Sequence, residues 1–172
     1  MGLSAGAMVA AAALFAATAP ASAQDRETEV GQIVFDLCPK VLDGSISLSD
    51  PAQVVAQGFT PMAPRETPGG KNPRAEKGNG TGRIVISASA DTCSIWFGGP
   101  DNPQLAGKML ERARVEKFKG GSPQSLGDGT MLFSFRNSGK PARTLVLILA
   151  DAGGELDFRP ATTVVMMNTK GS

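Results

Sequence analysis

The sequence predicts an α+β domain: a largely antiparallel five-stranded sheet with two longer helices and one short helix, following a cleaved signal peptide. Three observations carry this reading. A helical apolar period occupies Glu27–Leu42 and returns over Pro103–Glu116. Five short runs rich in Val, Ile, Leu and Phe lie between clusters of Gly, Ser, Asn and Pro. An uncharged, Ala-rich leader precedes both. With 172 residues the chain has room for about one domain. The expected division is 1–23 as signal peptide and 24–172 as a single domain.

The leader reads MGLSAGAMVAAAALFAATAPASA, without Lys, Arg, Asp or Glu. Its apolar stretch runs from about Ala7 to Ala17 and Pro20 breaks it. Ala21-Ser22-Ala23 then places small residues at the positions a signal peptidase reads, so the mature chain is expected to start at Gln24. The n-region lacks Lys and Arg, which leaves an uncleaved membrane anchor as the alternative. The apolar stretch falls short of the ~20 residues that span a bilayer. No later segment reaches that length, so the mature chain is expected to have no membrane span.

Val30, Ile33, Val34, Leu37, Cys38, Val41 and Leu42 fall on one face of a helix from Glu27 to Leu42. Pro39 lacks a backbone donor, so a kink or an end is expected near Leu37–Cys38. Asp50-Pro51 pairs a capping residue with Pro at the first helical position; a short helix carries Val54 and Val55, and Gly58 stops it before Phe59, a core anchor. From about 60 to 82 the chain has many Pro and Gly and no Ile, Leu, Val or Phe, which reads as a long flexible loop. Arg83–Ser89 and Thr92–Phe97 alternate and are joined by a short turn, a β-hairpin signal. Asp101 is placed to cap the helix Pro103–Glu116, whose apolar side holds Leu105, Met109, Leu110 and Ala113. Gly120–Gly129 reads as another loop. Met131–Arg136, Thr144–Leu149 and Thr162–Met167 complete the strands, the last two apolar on both faces and therefore central. No internal repeat is visible in the sequence.

Cys38 and Cys93 are the only cysteines. In an exported chain an even pair is read first as a disulfide, here closing a loop of about 55 residues. The alternatives are two buried thiols or a two-thiolate metal site, which with no His in the chain would need carboxylates to complete it. If the disulfide forms, Ile95 and Phe97 share the Cys93 face of their strand, and Thr92, Ser94 and Trp96 point the other way. Trp96 is then a contact for a ligand or partner, unless the second long helix covers it.

The net charge of +1 argues against bulk attraction to nucleic acid or anionic membrane. The absence of His removes His-based triads and imidazole ligands. There is neither a GxxxxGK[ST] loop nor a GxGxxG between strand and helix, so no cofactor is expected, and the calcium-loop pattern is absent. Two catalytic readings remain: a Ser–Lys pair drawing on Lys108 or Lys117, and paired carboxylates from Asp151, Glu155 and Asp157. Against them, the lysines sit on a charged helix end and the carboxylates flank Gly153-Gly154 in a turn. No catalytic, cofactor-binding or metal residue is assigned.

The strand–strand–helix–strand–strand–strand order resembles PAS-like and profilin-like folds. The chain also resembles small exported bacterial proteins of unknown function, on Phe35-Asp36-Leu37-Cys38 near the end of a first helix, Gly58-Phe59, and Cys93-Ser94-Ile95 on a strand. That resemblance implies no activity and carries over no ligand-contacting residue. The sequence-based expectation is an exported, periplasmic, non-catalytic binding or accessory module. Its alternatives are an enzyme using carboxylates or a Ser–Lys pair, and a structural or homodimerising envelope protein.

Overall fold

The computed structural model describes residues 23–78, 82–99, 101–150 and 161–169. The leader and the Asp151–Asp157 carboxylates therefore lie outside the described residues, apart from Ala23. Helix α1 (Ala23–Gln32) runs into a π-helical turn, Ile33–Leu37, and then into α2 (Cys38–Leu42). In the turn the Cys38 N–H donates to the Ile33 carbonyl, five residues back. Pro39 would crowd the Phe35 carbonyl in a regular helix, and the wider turn just before it accommodates the ring. The same turn sets Ile33, Val34, Leu37 and Cys38 into the core. Helix α3 (Pro51–Ala56) is capped by the Asp50 carboxylate, which accepts from the Ala52 and Gln53 N–H groups.

Eight strands follow, not five: β1 (Thr60–Thr67), β2 (Gly70–Lys77), β3 (Ile84–Ala88) and β4 (Thr92–Gly98), then helix α4 (Asn102–Val115), then β5 (Lys119–Gly127), β6 (Thr130–Arg136), β7 (Arg143–Ala150) and β8 (Ala161–Asn168). All pair antiparallel in one sheet of order β1-β2-β3-β4-β8-β7-β6-β5. This corrects the expectation of a five-stranded sheet with two longer helices and one short one: the sheet has eight strands, and the first helical stretch is divided into α1, the π-helical turn and α2. The stretch 60–82, expected to be a loop, holds the β1–β2 hairpin, and Gly120–Gly129 holds most of β5 and its turn into β6. The two outer strands are mostly exposed, so they need backbone partners but few apolar side chains, and an apolar period does not mark them. With β1, β2 and β5 in place, the element order is no longer the one that resembled PAS-like and profilin-like folds.

The order has a repeat that the residues do not display. Each half is helical and then contributes four strands, and the innermost strands of the halves, β4 and β8, meet along a seam centred near Ile95↔Val164. The helix-to-strand junctions match in detail. Gly58 (φ +77) and Lys117 (φ +63) both end a helix in left-handed geometry. The next residue, Phe59 or Phe118, is buried and donates its N–H five residues back, to Val54 or Ala113. Both are Schellman closures, one made with Gly and one with Lys.

The helices pack on one face of the sheet. Their buried residues, among them Val34, Cys38, Val54, Leu105 and Met109, form one cluster with Ile86, Ile95, Phe97, Phe135, Leu147 and Met166. Phe35 and Phe118 meet edge to face at 6.4 Å, and the Arg112 guanidinium lies 5.5 Å over Phe35, which joins the π-helical turn to α4 and the residues after it. Asp101 does not cap α4 with its side chain; its carboxylate is taken by Arg26, which also donates to the Gly98 carbonyl. Cys38 and Cys93, both fully buried, pair as a disulfide with Cα atoms 5.7 Å apart, fastening the helical layer to β4. No described helix is long and apolar enough to cross a membrane.

Candidate functional site

Cys93, Ile95 and Phe97 face the helices, so Thr92, Ser94 and Trp96 lie on the opposite face. Register extends that second face: Val85 beside Trp96 on β3, Thr163 and Val165 on β8, and Val146 and Ile148 on β7. Among the described residues no helix covers it. Apart from Val85, which is fully buried, these side chains are half-buried. Trp96 is thus not beneath α4, which lies on the other side of the sheet.

The outer hairpin builds a cleft on this open face. β2 pairs with β3 only from Arg74 to Lys77. Pro73 has no N–H to continue the ladder, so the end of the hairpin leaves the sheet there. A register shift between Met62 and Arg65 on β1 adds the local twist of a bulge. The freed end, Arg65–Pro68 with Asn72, stands opposite Ser87, Thr92, Ser94 and Trp96, and a cleft of about 310 Å³ lies between them.

The lining mixes hydroxyl, amide and charged side chains with Pro68, Ala88 and the aromatic wall of Trp96. Ser87, only 6% exposed, is a buried hydroxyl residue of the cleft. Two hydroxyls are already engaged: Thr67 donates to the Gly70 carbonyl at 2.8 Å, and Thr92 shares a 2.6 Å hydrogen bond with Ser89. Asn72, Ser87 and Ser94 are the lining groups not committed in this way. The charged lining residues are one cation, Arg65, and one anion, Glu66, whose carboxylate lies 3.5 Å from the Lys71 ammonium. Lys71 thus shares the Glu66 charge, and Arg65 is the one cation among the described lining residues.

A larger hollow of about 450 Å³ lies behind the same hairpin end, against Ile46–Ser49 and Ser89–Ala90, and shares Asn72 and Ala88 with the Trp96 cleft. None of its described lining residues is aromatic. The lysines singled out for a Ser–Lys pair lie elsewhere: Lys108 pairs with Glu111 at 3.5 Å on the exposed side of α4, and Lys117 is exposed at that helix's end. Neither lines the cleft. Among the described residues no group of three His, Cys, Asp or Glu side chains is placed to hold a metal.

The sequence singles out Trp96 but not its partners Arg65, Thr67 and Asn72, because they belong to strands whose composition is that of a loop. The Pro68-Gly69 pair, a turn signal between two short polar runs, marks the hairpin that brings them in. No protein family, curated protein or solved structure matches the chain.

Proposed function

We propose that this chain is an exported, non-catalytic binding or accessory module that receives its ligand in the cleft beside Trp96. The observation that carries the reading is the cleft itself: a half-buried indole facing hydroxyl and amide side chains, on the sheet face that no described helix covers. Concave sites of this kind, with an aromatic wall and a few placed polar groups, are where small ligands bind. The lining favours binding over chemistry. Among the described residues Glu66 is its one carboxylate, whereas carboxylate catalysis of glycosides needs two. Among the described residues no lysine lines the cleft to serve as base for its serines.

Export is supported by the Met1–Ala23 leader and by the cystine, since disulfides persist outside the reducing cytosol. The experiment has two arms. Intact mass of the chain recovered from the periplasm of an expressing bacterium is expected to begin at Gln24; a mass retaining Met1–Ala23 overturns the cleaved-leader reading. Ligand-observed NMR with a mixed panel of sugars, amino acids and nucleotides is expected to find a binder whose signal is lost in Trp96→Ala. A binder unaffected by that change would place the site elsewhere.

A further inference from the structure

We propose that the Trp96 cleft is a saccharide subsite: a neutral sugar ring stacks on the indole while Asn72, Ser87 and Ser94 hold its hydroxyls. This rests on the binding reading above and names the ligand class. The argument is one of matching chemistry. A serine hydroxyl and an asparagine amide each both donate and accept hydrogen bonds. The ligand that uses such a set fully is one whose own groups do the same, and a polyol is that ligand. A phosphate or carboxylate accepts only; it would need an excess of donors and positive charge, and Arg65 is the one cation among the described lining residues. A purely apolar ligand would bury Ser87 and Ser94 with no partner, which opposes binding.

Trp96 supplies the other half of the recognition. The face of an indole carries negative potential, and a pyranose presents a flat face of weakly positive C–H groups to it. The ring can then be sandwiched by shape on one side and read by hydroxyl contacts on the other. At about 310 Å³ the cleft is at the small end of ligand sites. It suits one ring with its neighbour projecting from the open end, as in an oligosaccharide held at one residue.

The chain makes the test direct, because Trp96 is its one tryptophan and it has no tyrosine. Intrinsic emission therefore reports on the cleft alone. The oxidised, exported protein would be titrated with maltotriose, cellotriose and the trimer of N-acetylglucosamine, with glycine and inorganic phosphate as non-sugar probes, and affinities taken by calorimetry. At least one trisaccharide is expected to shift the emission saturably while neither non-sugar probe does. Asn72→Ala and Ser94→Ala, with unchanged thermal midpoints, are each expected to weaken that sugar about tenfold. Trp96→Phe, which keeps a stacking ring, is expected to retain more affinity by calorimetry than Trp96→Ala. A saturable shift with glycine or phosphate and none with the sugars would overturn the saccharide assignment and leave the binding module standing. No shift with any probe, in protein shown to be folded, would overturn the saccharide assignment, and the wider ligand panel then decides the binding module. Sugar binding undiminished in Asn72→Ala, Ser94→Ala and Trp96→Ala would place the sugar outside this cleft and overturn the proposal.

Discussion

Gly121 shows what single residues must do here. It has φ +87, and a Cβ built on it would fall within the ring of Phe135, which is 1% exposed. Gly127, on the same strand at φ +89, has open space around it. Gly121→Ala should therefore cost about 1–3 kcal/mol from overpacking, added to the backbone strain, and Gly127→Ala only the strain. Denaturant unfolding of the two variants checks this. The cystine acts through the unfolded chain as well as the folded one. Closing 55 residues limits the denatured ensemble by up to ~4 kcal/mol in the chain-entropy view. Labelling of the unreduced, denatured protein should find no free thiol, and the Cys38→Ala/Cys93→Ala variant should lose ~2–4 kcal/mol of stability. Asp50 brings a pH dependence. The hydrogen bond from the Gln53 side chain, helped by the Gln53 and Ala52 N–H groups, holds its carboxyl below the ordinary value of 3.8. A lowered folded pKa means that the cap stabilises fully above the unfolded pKa and is lost as pH falls through the folded one. Carboxyl chemical shifts should place the Asp50 midpoint below 3.8, and α3 should fray in that range and not at neutral pH.

At the scale of elements, strand burial decided what could be read from the sequence. β3, β4, β7 and β8 bury Val, Ile, Leu and Phe and were found close to their observed limits. β1 and β5 have almost no buried side chain and were missed, although Asp128-Gly129, with both residues at positive φ, is a hairpin turn signal in its own right. The cleft was half readable for the same reason: Trp96 stands on a strand that its neighbours betray, and Asn72 on one they do not. β1 and β5, two of the three missed strands, share a second property. They are the two edges of an open sheet, and each carries proline: Pro61 and Pro64 on β1, Pro123 on β5. Proline removes donors from an edge that would otherwise template pairing with another chain. Replacing Pro61 and Pro64 with Val restores donors and β propensity, so that variant should associate through β1. Light scattering at increasing concentration checks it, and a variant no larger than the parent would show that proline is not what protects the edge.

At the scale of the whole molecule, the two helix-plus-four-strand halves are not independent units. Their buried residues form one cluster, with Val34 and Ile95 of the first half and Met109, Leu147 and Met166 of the second in the same core. The seam between the halves runs from Thr92↔Met167 to Gly98↔Ala161, seven register pairs, longer than the four that join β2 to β3. The disulfide lies within the first half, where it ties the seam strand β4 to the helices through Cys93, the residue paired with Met166. Thr162, another seam residue, donates to buried Asn102 on α4 at 2.8 Å. Bonding and burial are thus concentrated at the centre and decline outward, to the short β2–β3 ladder on one side and the irregular β5–β6 register on the other. Local opening free energy should follow that gradient, since opening an element costs the burial and ladder bonds it loses. Native-state hydrogen exchange should find the amides of β4, β7 and β8 slowest and near the global unfolding free energy. Those of β1 and β5 that are hydrogen-bonded should exchange through smaller openings that leave the seam intact. The cleft lies on this gradient too, with Ser94 and Trp96 on the slow seam strand and Arg65 and Asn72 on the outer hairpin. A ligand bridging them should therefore slow exchange in β1 and β2 more than in β4. Equal protection across the sheet in the free protein would show that the seam is not what holds the halves together.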